Sequence, residues 1–271
     1  MRILIKIGAG MALLALILVG VSAAMLRAHA EDHSWTDVPG SRAVKVETRP
    51  IDAGVTVITA NGPVDLILRQ GATPALQVVA EERLLPRIKT VRQGNALLID
   101  FEDHTVFHSN RPMRIELTLP NLEQVSLHGS GDARVAGFSG DKMVLTLRGS
   151  GDMHFDGNYQ HLTASTMGSG DLDLTTSNGM DADLSVLGSG GIRAAGQNKS
   201  LAVRIMGSGD VDAANLRTDD VKLDALGSGD SSVYAGKSVV INLHGSGDVD
   251  VHGNPSHREV NRAGSGDVNW D

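Results

Sequence analysis

A tetrapeptide, Gly-Ser-Gly-Asp, recurs through the second half of this 271-residue chain at nearly constant spacing. Seven copies and one Gly-Ser-Gly-Gly variant hold 17 of the 32 glycines, and they begin at Gly129, Gly149, Gly168, Gly188, Gly207, Gly227, Gly245 and Gly264. Successive copies lie 18 to 20 residues apart. A period in this range is typical of solenoid proteins, in which a short repeat buries its apolar face only by stacking on its neighbours.

Apolar and polar residues alternate on both sides of each tetrapeptide. The fourth residue before it is apolar in all eight copies: Val125, Leu145, Ala164, Leu184, Val203, Leu223, Ile241 and Val260. Alternation with a period of two predicts strands with one buried face, one entering and one leaving each tetrapeptide. The segments that join an outgoing strand to the next incoming one vary from four to six residues, as in Gly137–Lys142. We expect these variable segments to be surface loops.

The repeat predicts an all-β fold, a single-stranded parallel β-helix (β-solenoid) with rungs of about 19 residues and Gly-Ser-Gly-Asp corners. Residues 121–271 form its regular part. Residues 41–120 are also strand-like but lack the tetrapeptide, and we interpret them as an irregular N-terminal part of the same solenoid. A separate sandwich domain is the alternative for this stretch.

Residues 1–30 have the parts of a secretory signal peptide. Arg2 and Lys6 precede an uncharged apolar run at residues 7–26, and Ala28-His29-Ala30 places small residues at the positions that signal peptidase reads. The alternative is an uncleaved anchor, because 20 uncharged residues can span a bilayer of about 30 Å. Both interpretations predict export to the periplasm or cell envelope, anchored in the inner membrane if the segment is retained.

Composition removes several classes of protein. The chain has no Cys, which excludes disulfides and any Cys-ligated metal or cluster. Its formal net charge of −8 argues against a nucleic-acid-binding protein, which concentrates Lys and Arg. The hydrophobic share of 41% is too high for a disordered acidic chain.

The aspartates of the tetrapeptide are expected to stack in a column along the solenoid. Neighbours near 4.8 Å repel each other by about 0.9 kcal/mol in a water-like dielectric, so something must offset the repulsion. Backbone N–H groups of the turn, as in an Asx-turn, are one answer, and Ca²⁺ ions are another. The best-placed candidate ligands are the carboxylates that alternate on one strand face: Asp171, Asp173, Asp210, Asp212, Asp248 and Asp250.

The sequence contains no Gly-x-Ser-x-Gly elbow, metalloprotease helix or phosphate-binding loop. We therefore predict no catalytic residue, no cofactor-binding residue and no cofactor other than the Ca²⁺ alternative. Parallel β-helices do host polysaccharide lyases and hydrolases, but such sites use aromatic sugar platforms. This chain has only 4 Phe, 2 Trp and 2 Tyr.

The order of several sequence elements resembles that of a known family. The resemblance covers about residues 42–271. The elements are Val64–Gly71, Glu81–Leu85, Ile88–Thr90 and Ile115–Leu119, then Pro120-Asn121-Leu122 leading to the tetrapeptide at Gly129. The resemblance is to the "putative auto-transporter adhesin head" (GIN-domain) proteins of bacterial envelopes. It implies an exported β-solenoid with an adhesin role, for which the family defines no ligand.

We therefore predict an exported, non-enzymatic envelope protein whose rigid solenoid binds another macromolecule, either polysaccharide or protein. The alternatives are a polysaccharide-active β-helix enzyme and a Ca²⁺-dependent structural protein. No nucleic-acid partner is expected, and membrane contact is expected only through the N-terminal segment. The last rung ends near Trp270 without a polar cap, so either Trp270 covers it or two copies of the chain pair there.

Overall fold

A computed structural model describes residues 40–102, 111 and 113–271, and the segment predicted to be a signal peptide or anchor lies outside them. Within this part of the chain, no helix is long and apolar enough to cross a membrane. The same residues contain one 3₁₀ turn, at Leu85–Arg87.

In the part of the chain that the structure describes, seventeen strands form one sheet. The first eight are short: β1 Val44–Arg49, β2 Val57–Asn61, β3 Asp65–Gln70, β4 Ala75–Glu81, β5 Ile88–Gln93, β6 Ala96–Phe101, β7 Arg114–Leu119 and β8 Gln124–Gly129. Six long strands follow: β9 Ala133–Gly149, β10 Met153–Gly168, β11 Leu172–Gly188, β12 Ile192–Gly207, β13 Val211–Gly227 and β14 Ser231–Gly245. The last three are β15 Val249–His252, β16 His257–Gly264 and β17 Val268–Trp270.

Strands β9 to β14 are consecutive coils of a β-solenoid, as the repeat predicts. Each pairs in parallel with the next, so that Leu145 lies beside Ala164 and Ala164 beside Leu184. The tetrapeptides fall in register at the junctions between coils, where Gly149, Gly168 and their counterparts are paired. The solenoid has about seven turns, and the predicted fold class is confirmed.

Six of the seven variable segments differ from the expected loops, because each coil from β9 to β14 is one strand of 15 to 17 residues that runs from tetrapeptide to tetrapeptide. The seventh segment, residues 253–256 between β15 and β16, is a loop as expected. The extra residues appear as register shifts within the strand pairing, for example between Asp156 and His161 and between Thr176 and Gly179. A bulge lets the strand bend while its flanking backbone groups stay paired to the next coil, so no excursion from the sheet is required.

Residues before the first tetrapeptide belong to the same sheet. Strands β2 and β3 pair in parallel with β8 and β9, which continues the stacking of the coils. Three pairings in this region are antiparallel, namely β1 with β4, β4 with β7 and β5 with β6. The core runs through both parts, from Ile58 and Leu66 to Leu184 and Ile241, all at most 1% exposed.

The glycines of the tetrapeptide allow adjacent corners to approach closely. A Cβ on Gly149 would lie 1.9 Å from the carbonyl oxygen of Gly129, and the φ angle of Gly149 is +133°. A Cβ on Gly209 would lie 2.0 Å from the carbonyl oxygen of Gly190. No L-residue with a side chain fits such a contact, so the repeated glycines follow from the stacking distance.

Candidate functional site: a groove along the variable corners

The aspartates of the tetrapeptide form a hydrogen-bonded ladder. In most coils, Oδ1 of the carboxylate accepts from the backbone N–H at the equivalent position of the next coil. The bonds from Asp152 N to Asp132 and from Asp230 N to Asp210, for example, measure 2.9 and 2.8 Å. Asp65, which precedes the repeats, begins the ladder by accepting from Asp132 N at 3.1 Å. The donors that offset the repulsion between aspartates are backbone N–H groups, as in the Asx-turn alternative to Ca²⁺. They belong to the neighbouring coil, however, and not to the same turn.

Three of the six predicted metal ligands belong to this ladder. The carboxylates of Asp171, Asp210 and Asp248 accept from the N–H groups of the next coil at 2.7 to 2.8 Å, the donors being Gly191, Asp230 and Asp267. Each ladder carboxylate therefore has one oxygen engaged by the fold itself.

The other three carboxylates lie on the adjacent face with different partners. Asp173 accepts from Arg193 Nη1 at 2.9 Å, and Asp212 lies 3.9 Å from Nε of the same guanidinium. Asp250 accepts from Asn269 Nδ2 at 2.9 Å. Among the described residues, no group of three or more His, Asp or Glu side chains is placed to hold a metal ion. The Ca²⁺ alternative stays a prediction.

A groove of about 440 Å³ crosses coils β11 to β14 where the variable segments bend. Its lining includes Asn178, Gln197, Asn198, Lys199, Arg217 and Tyr234. Two outward columns border it. Gln197, Arg217 and Tyr234 are register partners in one column, and the residues two positions later, Lys199, Asp219 and Gly236, form the other.

The buried column between these two forms the floor of the groove, and it contains polar side chains that are held in place. When the oxygen and nitrogen of the buried Asn198 amide are assigned from their surroundings, the nitrogen donates to the Gln197 carbonyl at 2.6 Å and the oxygen accepts from Ala182 N at 3.3 Å. Its side chain occupies the space that a Cβ on Gly179 would need. Thr218 Oγ1 donates to the Leu216 carbonyl at 3.0 Å. The floor is therefore fixed by the fold before any ligand arrives.

The part of the groove formed by β13 and β14 carries most of its charged side chains. The Arg217 guanidinium lies over the Tyr234 ring, 5.2 Å from its centroid, which is a cation–π contact. Lys237 donates to Asp219 Oδ2 at 2.7 Å, and this hydrogen bond raises the pKa of Lys237.

Asn178 adopts a left-handed conformation with φ +57°, the only such residue other than glycine in the described part of the chain. Asparagine tolerates that conformation better than most residues.

A second groove of about 460 Å³ lies on the same edge of the solenoid, over coils β8 to β10. Its lining includes Ser139, Gly140 and Tyr159, which belong to the variable bends of β9 and β10. Tyr159 is buried and donates its hydroxyl to the Leu122 carbonyl at 2.7 Å, and burial raises its pKa. The two grooves together extend along β9 to β14, a span of about 24 Å at the usual strand spacing.

One Ser-His-Asp trio lies on the outer face of the last coils. Ser232 Oγ is 3.0 Å from His252 Nε2, and His252 Nδ1 is 3.2 Å from Asp271 Oδ2. The distances match those of a nucleophile, a base and an orienting carboxylate. However, Asp212 and Asp250 are the register partners of Ser232 on the two neighbouring strands. Two carboxylates beside the nucleophile oppose the negative charge of an acyl-transfer transition state.

Sequence reasoning missed both the groove and the trio. The groove residues fall in the variable segments, whose changing length predicts loops that tolerate insertion. A signal was present, because these segments in three successive repeats carry Asn178, then Gln197 and Lys199, then Arg217. The trio joins residues of three coils and needs the register of β14, β15 and β17 to be known.

The protein is thus a parallel β-solenoid with an open groove across its coils. A family model described as "Putative auto-transporter adhesin, head GIN domain" matches residues 55–255, and the chain belongs to this family. The resemblance found in the sequence is thus confirmed. The description is that of an adhesin, which indicates an extracellular or envelope location for the family.

Solved structures of similar fold come from species of Parabacteroides and Bacteroides. A "putative adhesin" from Parabacteroides distasonis has a TM-score of 0.80 and 18% identity, over 87% of this chain and 100% of its own. A "putative lipid binding protein" from the same species has a TM-score of 0.79 and 21% identity, over 88% and 100%. A "putative adhesin" from Bacteroides fragilis has a TM-score of 0.67 and 21% identity, over 85% and 98%. At these identities the likeness concerns the fold. No curated protein matches the sequence.

Proposed function

We propose that this chain is an exported, non-enzymatic protein of the bacterial envelope. It binds an envelope polysaccharide along the edge of the solenoid where the variable segments bend. The observation that carries the proposal is the pair of open grooves on one edge of a rigid, parallel sheet. A span of about 24 Å is several times the length of one sugar ring, so it suits an extended polymer that runs across the coils.

The chemistry of the lining supports a sugar ligand. Amide side chains such as Asn178 and Gln197 supply both donors and acceptors, which the hydroxyl groups of a saccharide require. The floor is pre-formed, because Asn198 and Thr218 already have their hydrogen-bond partners. A site that needs no ordering on binding loses little affinity to conformational entropy.

Filling the groove with a side chain tests this proposal. Gly236 borders the groove and its backbone is not left-handed. A Cβ on Gly236 would lie no closer than 3.4 Å to any other atom, the nearest being the Thr218 carbonyl oxygen. Gly236→Tyr should therefore fold and obstruct the groove. Thr163→Tyr places the same side chain on an exposed position of β10 outside both grooves and is the matched control.

Both variants and the unchanged protein are applied to an immobilised panel of bacterial envelope polysaccharides. We expect the unchanged protein and Thr163→Tyr to be retained by at least one polysaccharide and Gly236→Tyr to be released from it. Equal retention of all three proteins would place the binding surface elsewhere. No retention on any polysaccharide would overturn the proposed function.

A further inference from the structure

Two cationic side chains at the groove over β11 to β14 have no acidic partner within the described residues. Arg217 and Lys199 both line the groove and are exposed, and neither forms an ion pair there. Their neighbour Lys237 is different, since Asp219 already neutralises it. Arg193, which lies outside the groove, is also paired with carboxylates, those of Asp173 and Asp212. The groove therefore presents cationic charge that the protein does not use for its own structure.

Arg217 is also held in place. Tyr234 is its register partner on the next coil, and the guanidinium lies over the Tyr234 ring at 5.2 Å. Arg217 Nη1 also donates to the Tyr234 hydroxyl at 3.5 Å, and the remaining N–H groups of the guanidinium are donors in the fork geometry that matches a carboxylate or phosphate. Because the stacking restricts the side chain in advance, less entropy is lost when an anion binds.

The local charge opposes that of the whole molecule. The chain carries a formal net charge of −8, whereas the charged residues that line the groove, Lys199, Arg217 and Asp219, leave it a local charge of +1. An acidic surface repels anionic polymers except where such a local reversal exists, so the field would direct an anionic ligand to this groove.

We infer that the groove over β11 to β14 binds an anionic saccharide. Arg217 contacts the acidic group of the sugar, Lys199 adds a second positive charge, and the amides of Asn178 and Gln197 contact the sugar hydroxyls. This inference rests on the proposed function and adds the chemical class of the ligand. A carboxylate and a phosphate both present paired acceptor oxygens to a guanidinium, and the probes below separate them.

Three probes are titrated calorimetrically against the purified protein: an oligosaccharide of uronic acid, its neutral methyl ester, and a phosphate-bearing oligosaccharide. The variants are Arg217→Gln, Arg217→Lys and Lys199→Gln. Arg204→Gln is the control, because it removes one charge from an exposed position of β12 outside the groove. Circular dichroism of each variant verifies that it is folded.

We expect at least one acidic probe to bind and the neutral ester to bind at least tenfold more weakly. Arg217→Gln should weaken binding of the acidic probe by about tenfold or more, Arg217→Lys by less, and Arg204→Gln by less than twofold. Affinity should also fall as salt is raised, with a smaller slope in Lys199→Gln. The acidic probe that binds identifies the group as carboxylate or phosphate.

The inference and the proposed function fail in different ways. If the neutral ester binds as well as the acid and Gly236→Tyr abolishes both, the groove binds sugars without reading charge, and only the inference is overturned. If Arg217→Gln and Arg204→Gln have equal effects, the inference is also overturned. If no probe binds, the inference is overturned, and retention on the polysaccharide panel then decides whether the proposed function survives.

Discussion

The carboxylate of Asp210 accepts a hydrogen bond from the backbone N–H of Asp230, one coil further along, at 2.8 Å. Asp230 in turn accepts from Asp248 N at 2.8 Å. The relationship explains how like charges are tolerated in a column, because each carboxylate gains a charge-assisted hydrogen bond that offsets repulsion of about 0.9 kcal/mol from its neighbour. The ladder is interrupted once, at Gly191, which has no carboxylate to offer to the next coil.

Two substitutions of Asp210 separate its hydrogen bond from its charge. Asp210→Asn keeps an oxygen acceptor and removes the repulsion, so we expect its free energy of unfolding to stay within about 0.5 kcal/mol of the unchanged protein. Asp210→Ala loses the acceptor and should cost about 1 kcal/mol. Urea unfolding measures both. Equal losses in the two variants would show that the hydrogen bond does not stabilise the corner.

Close stacking of the corners predicts a large effect of a single methyl group. Gly209→Ala would place its Cβ 2.0 Å from the Gly190 carbonyl oxygen, and relieving that overlap requires two coils to separate. We expect a loss of about 3 kcal/mol in the free energy of unfolding. Gly236→Ala, whose Cβ meets nothing closer than 3.4 Å, is the control and should change stability by less than about 1 kcal/mol. Similar values for the two variants would contradict the account of the glycines.

The ladder also bears on calcium. Since Asp171, Asp210 and Asp248 each have an oxygen engaged by a backbone N–H, we expect the melting temperature to be the same in EDTA and in millimolar Ca²⁺. A site saturated a hundredfold above its dissociation constant would add about 2.7 kcal/mol and raise the melting temperature by several degrees. Such a rise, lost in Asp171→Asn, would establish the Ca²⁺ alternative.

The Ser232, His252 and Asp271 trio permits a direct test of the non-enzymatic proposal. Because Asp212 and Asp250 flank Ser232, we expect a fluorophosphonate probe to leave this serine unlabelled while it labels a serine hydrolase in the same tube. Mass spectrometry of the tryptic peptide is the measurement. Labelling of Ser232 that disappears in His252→Ala would indicate a functional nucleophile and favour the enzyme alternative.

Much of the fold could be predicted from the sequence because the repeat is strict. Period-two alternation around each tetrapeptide places residues such as Leu145 and Leu184 in the core, where both are fully buried. The continuous strands were not predicted, because a bulge and a loop of four to six residues look alike in sequence. Asp65 was not assigned to the ladder, since no glycine pair precedes it and only the pairing of β3 with β9 brings it to Asp132.

The candidate site was harder to predict than the fold. Arg217 and Tyr234 are 17 residues apart, less than one repeat, because the pairing of β13 with β14 shifts register between Ala213 and Arg217. Simple alignment of the repeats therefore does not place them together. The aspartate column, by contrast, is easy to find in the sequence, because its members repeat at fixed spacing. In the structure its carboxylates form hydrogen bonds between coils.

Hydroxyl-radical footprinting with and without the uronic acid oligosaccharide reports which side chains a ligand covers, so it tests whether the groove over β11 to β14 is the binding site. Tyr234 lines the groove, whereas Met206 and Leu226, 45% and 56% exposed, do not line it and serve as internal controls. We expect the ligand to lower oxidation of Tyr234 and to leave oxidation of Met206 and Leu226 unchanged. Unchanged oxidation of Tyr234, or protection of Met206 and Leu226 in its place, would contradict this expectation.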